Sequence, residues 1–368
     1  MIYVVLNNNY HVFDLMSHLE DRPKNIDLQF LVVAHTLERD RLDSLSEIAD
    51  VIEIPRFRFR GGYIQQILEI RKSKSTIDIH FNEVSENDRL ILYTDLEFMN
   101  ILIASAFVRA GAKVFIMTEG IATYSDIAHG RCRDWVAAIR GRLFKTLTGL
   151  SECSYYYMRS GKLKQGLSAS VVNGIFTYYK IAEPKCTKTI HISQGVYRDK
   201  GLELNENAVV FLNSPLYEQL CSWDMHIEAI SEVLGALSRR FSQIYFKFHP
   251  RETNEAINYQ KKTLNAWECV FVDDSSEPIE WYIAKLKTKY AAALVSTALL
   301  NLVPDGIVPI YCQKYAPVLG NALPLIRFGQ TLEAMGYFLP DDARRISSDT
   351  VGFDQEMLQP SGNLWDWL

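Results

Sequence analysis

Lys113-Val114-Phe115-Ile116-Met117-Thr118-Glu119-Gly120 is an apolar run that stops abruptly on a hydroxyl, a carboxylate and a glycine. Continuous apolar runs of this length build strands buried on both faces, and a glycine directly after one lets the chain turn tightly. The same pattern recurs along the chain. Upstream, Met1–Leu6, Leu28–Val33, Val51–Ile54 and Arg89–Tyr93 read as strands, separated by helical patterns such as Gly62–Lys72 and Glu97–Ala110. Downstream, Ala208–Leu212, Gln243–Phe248, Cys269–Val272, Ala291–Val295 and Val308–Cys312 repeat the scheme. Short apolar runs alternating with longer amphipathic stretches spell βαβ units and a parallel sheet covered by helices. Two such series predict an α/β protein with two Rossmann-like layers.

The 368 residues exceed the usual size of one hydrophobic core. Between the two series, Arg131–Lys180 begins as a basic helix and becomes rich in Tyr, Ser and Gly, and around Ile181–Asn205 the periodicity is interrupted. We therefore expect an N-terminal domain over 1–185 and a C-terminal domain over 186–330. A final block, 331–368, is expected to form helices that pack back on the first domain.

Hydrophobic residues at 48% and charged residues at 23% are those of an ordinary globular chain, and a net charge of −5 argues against a dedicated nucleic-acid binder. The six cysteines, Cys132, Cys153, Cys186, Cys221, Cys269 and Cys312, are scattered without zinc-like spacing, as expected of reduced thiols. The first strand reaches asparagines too soon for a signal peptide, and no apolar run approaches the length of a membrane span. These features point to a cytoplasmic protein. The basic helix Arg131–Lys145, which carries Trp135, Leu143 and Phe144, leaves open a peripheral contact with an anionic inner-membrane surface; a solvated helix face is the other reading.

In open parallel sheets ligands bind beyond the carboxyl ends of the strands. Glu119 stands there as a candidate proton acceptor, beside Gly120; capping of the next helix is its plain structural role. Gln243-Ile244-Tyr245-Phe246-Lys247-Phe248-His249-Pro250-Arg251 is a second strand with a polar end. Pro250 fixes the exit, and Lys247 and His249, two apart, share one face. A cation and an imidazole there suit a phosphate leaving group. In the third, Ala291–Val295 runs into Ser296-Thr297, hydroxyls placed either to hold an anion or simply to cap a helix. Weaker candidates are Asn213 and Ser214 after Ala208–Leu212, Asn9 and His11 after the first strand, and Glu280 or Glu277 for a ribose diol or a pyrimidine amino group. Glycine-rich dinucleotide and P-loop motifs, the G-x-S-x-G elbow and H-E-x-x-H are all missing.

Taken in order, Thr118-Glu119-Gly120, Lys247-Phe248-His249-Pro250-Arg251 and Ser296-Thr297 resemble the acidic-acidic-Gly, His-Pro and Ser-Ser/Thr motifs of bacterial GT-B sialyltransferases. The lipooligosaccharide sialyltransferases and capsular polysialyltransferases are the nearest in kind. The resemblance implies a GT-B enzyme: an acceptor-side domain and a nucleotide-sugar domain facing a central cleft. It implies inverting transfer of sialic acid from CMP-sialic acid to a hydroxyl of a glycan acceptor (lipooligosaccharide, capsule or galactoside), with no metal and no other cofactor. Glu119 would be the general base and His249 would assist departure of CMP. Lys247, Pro250, Ser296, Thr297, Asn213, Ser214 and Glu280 would contact the donor nucleotide, and Gly120, Asn9 and His11 the acceptor side. Thr118 departs from the motif, which often has a second acid there. The alternatives are transfer of another nonulosonate or nucleotide sugar, and a noncatalytic nucleotide-sugar-binding protein.

Overall fold

The computed structural model describes every residue except 34–36, 38, 59–60, 96, 121–138, 140–142, 144, 153–166, 168–169, 180–187, 194–202, 219, 273–277, 315–322, 338 and 341–361. The chain divides into two compact units, Met1–Ser193 with Gln359–Leu368, and Gln194–Leu358.

In the first unit, β1 (Ile2–Leu6), β2 (Leu28–Val33), β3 (Asp50–Ile54), β4 (Arg89–Leu92), β5 (Lys113–Met117), β6 (Gly174–Thr177) and β7 (Thr189–His191) form one sheet in the order 3-2-1-4-5-6-7. Every pairing is parallel. Helices α1 (Asn9–Leu19), α2 (Arg39–Ser46), α3 (Tyr63–His80) and α4 (Phe98–Arg109) intervene between the first five strands. The strand order reverses between β1 and β4, the kind of position where doubly wound sheets bind ligands. Val5, Leu31, Leu92 and Val114 from the sheet and Leu102 and Phe107 from α4 lie fully buried in one core. Burying these side chains supplies the main stabilisation of the layer, about 25 cal/mol per Å² of apolar surface.

Two strands had no signal in the sequence pattern. β6 and β7, four and three residues long, lie in the Tyr/Ser/Gly-rich stretch and the interrupted region after it, which read as the segment between the domains. β6 runs entirely buried inside the Tyr/Ser/Gly-rich region, and a Cβ at Gly174 would meet Ile190 Cδ1 at 2.7 Å, so a larger residue there would have to displace the Ile190 side chain.

In the second unit, β8 (Asn205–Leu212), β9 (Gln243–Lys247), β10 (Val270–Val272), β11 (Thr288–Ala293) and β12 (Val308–Tyr311) make an all-parallel sheet in the order 10-9-8-11-12. The helices are α5 (Trp223–Leu237), α6 (Asn254–Thr263), α7 (Ile279–Leu286), the short α8 (Ala298–Leu302) and α9 (Leu323–Ala334). Ser222 caps α5 by accepting from Met225 N–H, and Thr253 caps α6 by accepting from Ala256 N–H. The order reverses between β8 and β11.

The C-terminal block divides between the units. Tyr337 packs edge-on against Tyr311 of β12, whereas the indole of Trp365 donates to His18 O at 2.6 Å and Ser193 N–H donates to Gly362 O at 3.1 Å. Asn363 and Asp366 close a capping box around the final turn. Among the described residues no helix is long and apolar enough to cross a membrane, and the described cysteines Cys221, Cys269 and Cys312 are free thiols. Most of the basic stretch 131–145 lies outside the described residues.

Candidate active site

In the first unit the polar residues gather where the strand order reverses. Asn8, between β1 and α1, has two tasks: its Oδ1 accepts from His11 N–H at 3.0 Å and caps α1, while its Nδ2 donates to Glu119 Oε1 at 3.2 Å. Asn7 and Asn100 exchange side-chain hydrogen bonds at 3.1 and 2.9 Å, and Asn100 also donates to Thr94 O, tying the ends of β1 and β4 to α4. Glu119 follows β5 and receives His11 Nε2 at 3.0 Å. Its side chain remains 36% exposed while that of His11 is wholly buried. Burial alone would raise the Glu119 carboxyl, but His11, with hydrogen-bond donors from Asn8 and Thr94, outweighs it and holds the group below its ordinary range. The carboxylate is therefore ionised at neutral pH, accessible, and held at the end of a rigid strand.

Thr118 does not share this role. Its hydroxyl and its N–H both donate to Phe176 O, at 2.6 and 3.1 Å, so it stitches β5 to β6. This buried place suits a donor; a carboxylate in the same position would set oxygen against oxygen. Gly120 and Asn9 flank Glu119 and Asn8 in the chain, both half-buried.

In the second unit Lys247 ends β9, buried, with its ammonium 5.3 Å from the centre of the Tyr282 ring. His249 and Pro250 begin a turn closed by Glu252 N–H donating to His249 O at 3.0 Å. Within it, Arg251 N–H donates to His249 Nδ1 at 3.1 Å. An imidazole nitrogen that accepts cannot carry the proton, so Nε2 is the N–H of the neutral ring. Burial, with Arg251 and Lys247 nearby, lowers the His249 pKa to about 4, which keeps that neutral form at physiological pH.

Glu252 is the residue here that motif reading overlooked. It is buried and accepts from His249 N–H at 2.8 Å, from Asn213 Nδ2 at 3.0 Å, from Gln260 Nε2, and from the Tyr217 hydroxyl at 3.4 Å. Asn213 thus belongs to the frame behind His249. Its own N–H donates to Lys247 O, joining β8 to β9. The available signal was the spacing: a carboxylate three residues after the histidine of an HPRE turn can reach back to the histidine's backbone.

Around the second reversal point, the Ser214 hydroxyl donates to Val295 O, and Tyr311 OH donates to Ser296 O at 3.0 Å. Thr297 is exposed, lies in the right-handed helical region and makes no side-chain cap bond, so capping does not account for it. Glu280 is buried and accepts from Asn301 Nδ2 at 2.9 Å, which joins α7 to α8. Asp273 to Glu277 lie outside the described residues. Among the described residues no three His, Cys, Asp or Glu side chains converge as a metal site.

The fold is similar to that of several solved structures. The UDP-GlcNAc 2-epimerase from Methanocaldococcus jannaschii aligns over 100% of this chain and 97% of its own, at 9% identity and a TM-score of 0.53. The GT-B domain of the sialyltransferase from Photobacterium damselae aligns over 90% of this chain and 97% of its own, at 8% identity and a TM-score of 0.50. Identities this low establish the fold alone, here the GT-B fold with its two Rossmann-like units. No curated protein matches the sequence. The family described as Alpha-2,8-polysialyltransferase (POLYST) matches residues 6–304.

Proposed function

The chain belongs to the alpha-2,8-polysialyltransferase family, and from that premise we propose that it transfers sialic acid from CMP-sialic acid to a glycan hydroxyl by an inverting single displacement. Glu119 takes the proton from the attacking hydroxyl as that oxygen bonds to the anomeric carbon and the bond to the CMP phosphate oxygen breaks. The observation that carries this reading is Glu119 itself: an accessible carboxylate at a sheet reversal point, kept ionised by three donors.

The leaving group is the task of the second unit. Lys247 supplies positive charge and His249 donates a hydrogen bond from neutral Nε2–H to the departing phosphate. Thr297, whose hydroxyl is not used as a cap, and Ser296 complete the phosphate contacts, beside Ser214 and Pro250. Lys247, His249 and these hydroxyls supply the stabilisation without a metal. Glu280 is assigned to the cytidine portion, and Gly120 and Asn9 to the acceptor side.

The test is thermal stabilisation by CMP, CDP, UDP and GDP, paired with turnover of CMP-sialic acid. CMP is expected to give the largest shift, and Glu119→Gln is expected to keep it while transfer falls about 10²- to 10⁴-fold. A larger shift with UDP overturns the donor assignment, and loss of CMP binding in Glu119→Gln overturns the base assignment.

The acceptor is proposed to be a surface glycan presented at the membrane. Ile139 and Leu143 of the basic stretch are 48% and 52% exposed, so these two apolar side chains are open to a lipid surface. Removing charge at Arg140 and Arg142 is expected to weaken sedimentation with anionic vesicles, by roughly 1 kcal/mol per residue. Unchanged sedimentation removes the membrane role.

A further inference from the structure

Behind Glu119 lies a layer of buried polar groups that substrate binding does not explain. His11 Nδ1 accepts from Asn7 N–H at 3.1 Å, so the ring proton sits on Nε2 and is donated to Glu119 Oε1. The His11 ring lies flat on the Tyr93 ring, with centroids 4.4 Å apart and planes 13° from parallel. The Tyr93 hydroxyl donates to Asp14 Oδ2 at 2.9 Å, and the Tyr178 hydroxyl lies 2.8 Å from both Asp14 oxygens. Asp14 is fully buried, three residues after His11 on α1. His18 closes the far end, 3.1 Å from the Tyr178 hydroxyl and 4.0 Å from Asp14 Oδ2.

A buried carboxylate costs several kcal/mol unless its oxygens are satisfied. Here the two tyrosine hydroxyls satisfy them, and one of those tyrosines is the platform under His11. We infer that His11 is a positioning residue for Glu119, orienting its carboxylate through Nε2–H, and that Asp14, acting through Tyr93, fixes the plane of the His11 ring. This rests on the reading of Glu119 as the base.

Among the described residues, the groups that face Glu119 are His11 from α1, Asn8 from the β1–α1 junction and Thr94 from the end of β4. Those around His11 are Asn7, Asn8, Tyr10, Tyr93 and Glu119. Burial raises the Glu119 carboxyl, while His11 is the largest of the influences that lower it. Without His11 the carboxyl pKa rises. A base acts in its deprotonated form, so the acid limb of the rate profile moves to higher pH.

The experiment measures the pH profile of kcat/KM and the carboxyl titration of Glu119 by ¹³C NMR in the full chain, for wild type, His11→Ala, His11→Gln and Tyr93→Phe. In His11→Ala both the titration and the acid limb are expected to move to higher pH, with kcat down about 10- to 100-fold and donor KM unchanged. His11→Gln, which keeps an amide donor, falls between that variant and wild type. Tyr93→Phe keeps the stacked ring but loses the tie to Asp14, and lowers kcat severalfold. A folded His11→Ala with a wild-type acid limb and titration overturns the role of His11; if that variant does not fold, wild-type behaviour of His11→Gln does so. Wild-type kcat in Tyr93→Phe overturns the role of Asp14. Should Glu119→Gln retain transfer, the base reading fails, while the titration still reports whether His11 controls the carboxyl.

Discussion

The two candidate strand ends are built as inverses of one another. After β5 an accessible glutamate is backed by a buried histidine, and after β9 a part-exposed histidine is backed by a buried glutamate. In the first unit the backing group donates to the working side chain and favours its charged form. In the second, the backing group holds the histidine's backbone, while burial and two cations keep the ring neutral. An ionised acid suits proton abstraction, and a neutral imidazole with a fixed Nε2–H suits donation to a phosphate that already carries charge. Buried polar partners thus set what each exposed group can do.

The strongest way to break this comparison is to remove the buried glutamate. Glu252→Ala takes the acceptor from the His249 N–H and one of the partners from each of the Asn213 and Gln260 side chains, so we expect a loss of about 3 kcal/mol. In a thermal melt this should lower Tm by about 5 to 10 °C. Glu252→Gln should lose less, and a Tm unchanged in Glu252→Ala would show that the hub is not stabilising.

The finest probe is Thr297→Val. With no cap bond to lose, stability should change by no more than about 0.5 kcal/mol. CMP affinity, read by calorimetry, should weaken about fivefold, the worth of one hydrogen bond. A fall in Tm with unchanged CMP binding would return Thr297 to a purely structural role.

Much of the fold was legible because its strands are continuous apolar runs with polar ends: each of the ten expected strands overlaps an observed one to within three residues at either end. The helix over Gly62–Lys72 continues to His80, since Ser75 and Thr76 do not break it. The strands β6 and β7, no shorter than β4 and β10, were hidden by their place in the stretch that read as the segment between the domains. The last block is expected to form helices that pack back on the first domain, and its end, Gln359–Leu368, belongs to the first unit. Trp365 is what ties that end to α1, and a single buried indole has no periodicity to announce it.

Glu119, Lys247, His249, Ser296 and Thr297 could be singled out from the sequence because chemistry at strand ends follows from local order along the chain. The sequence alone determined which side chains those ends offer. Only the tertiary structure decided their states: Glu119 depends on His11 and Asn8, 108 and 111 residues away, and His249 on a carboxylate that also gathers Asn213, 39 residues upstream. A pKa or a tautomer is set by what lies within hydrogen-bond reach in space, and that proximity is made by the sheet, which brings β1 beside β4 and β8 beside β9.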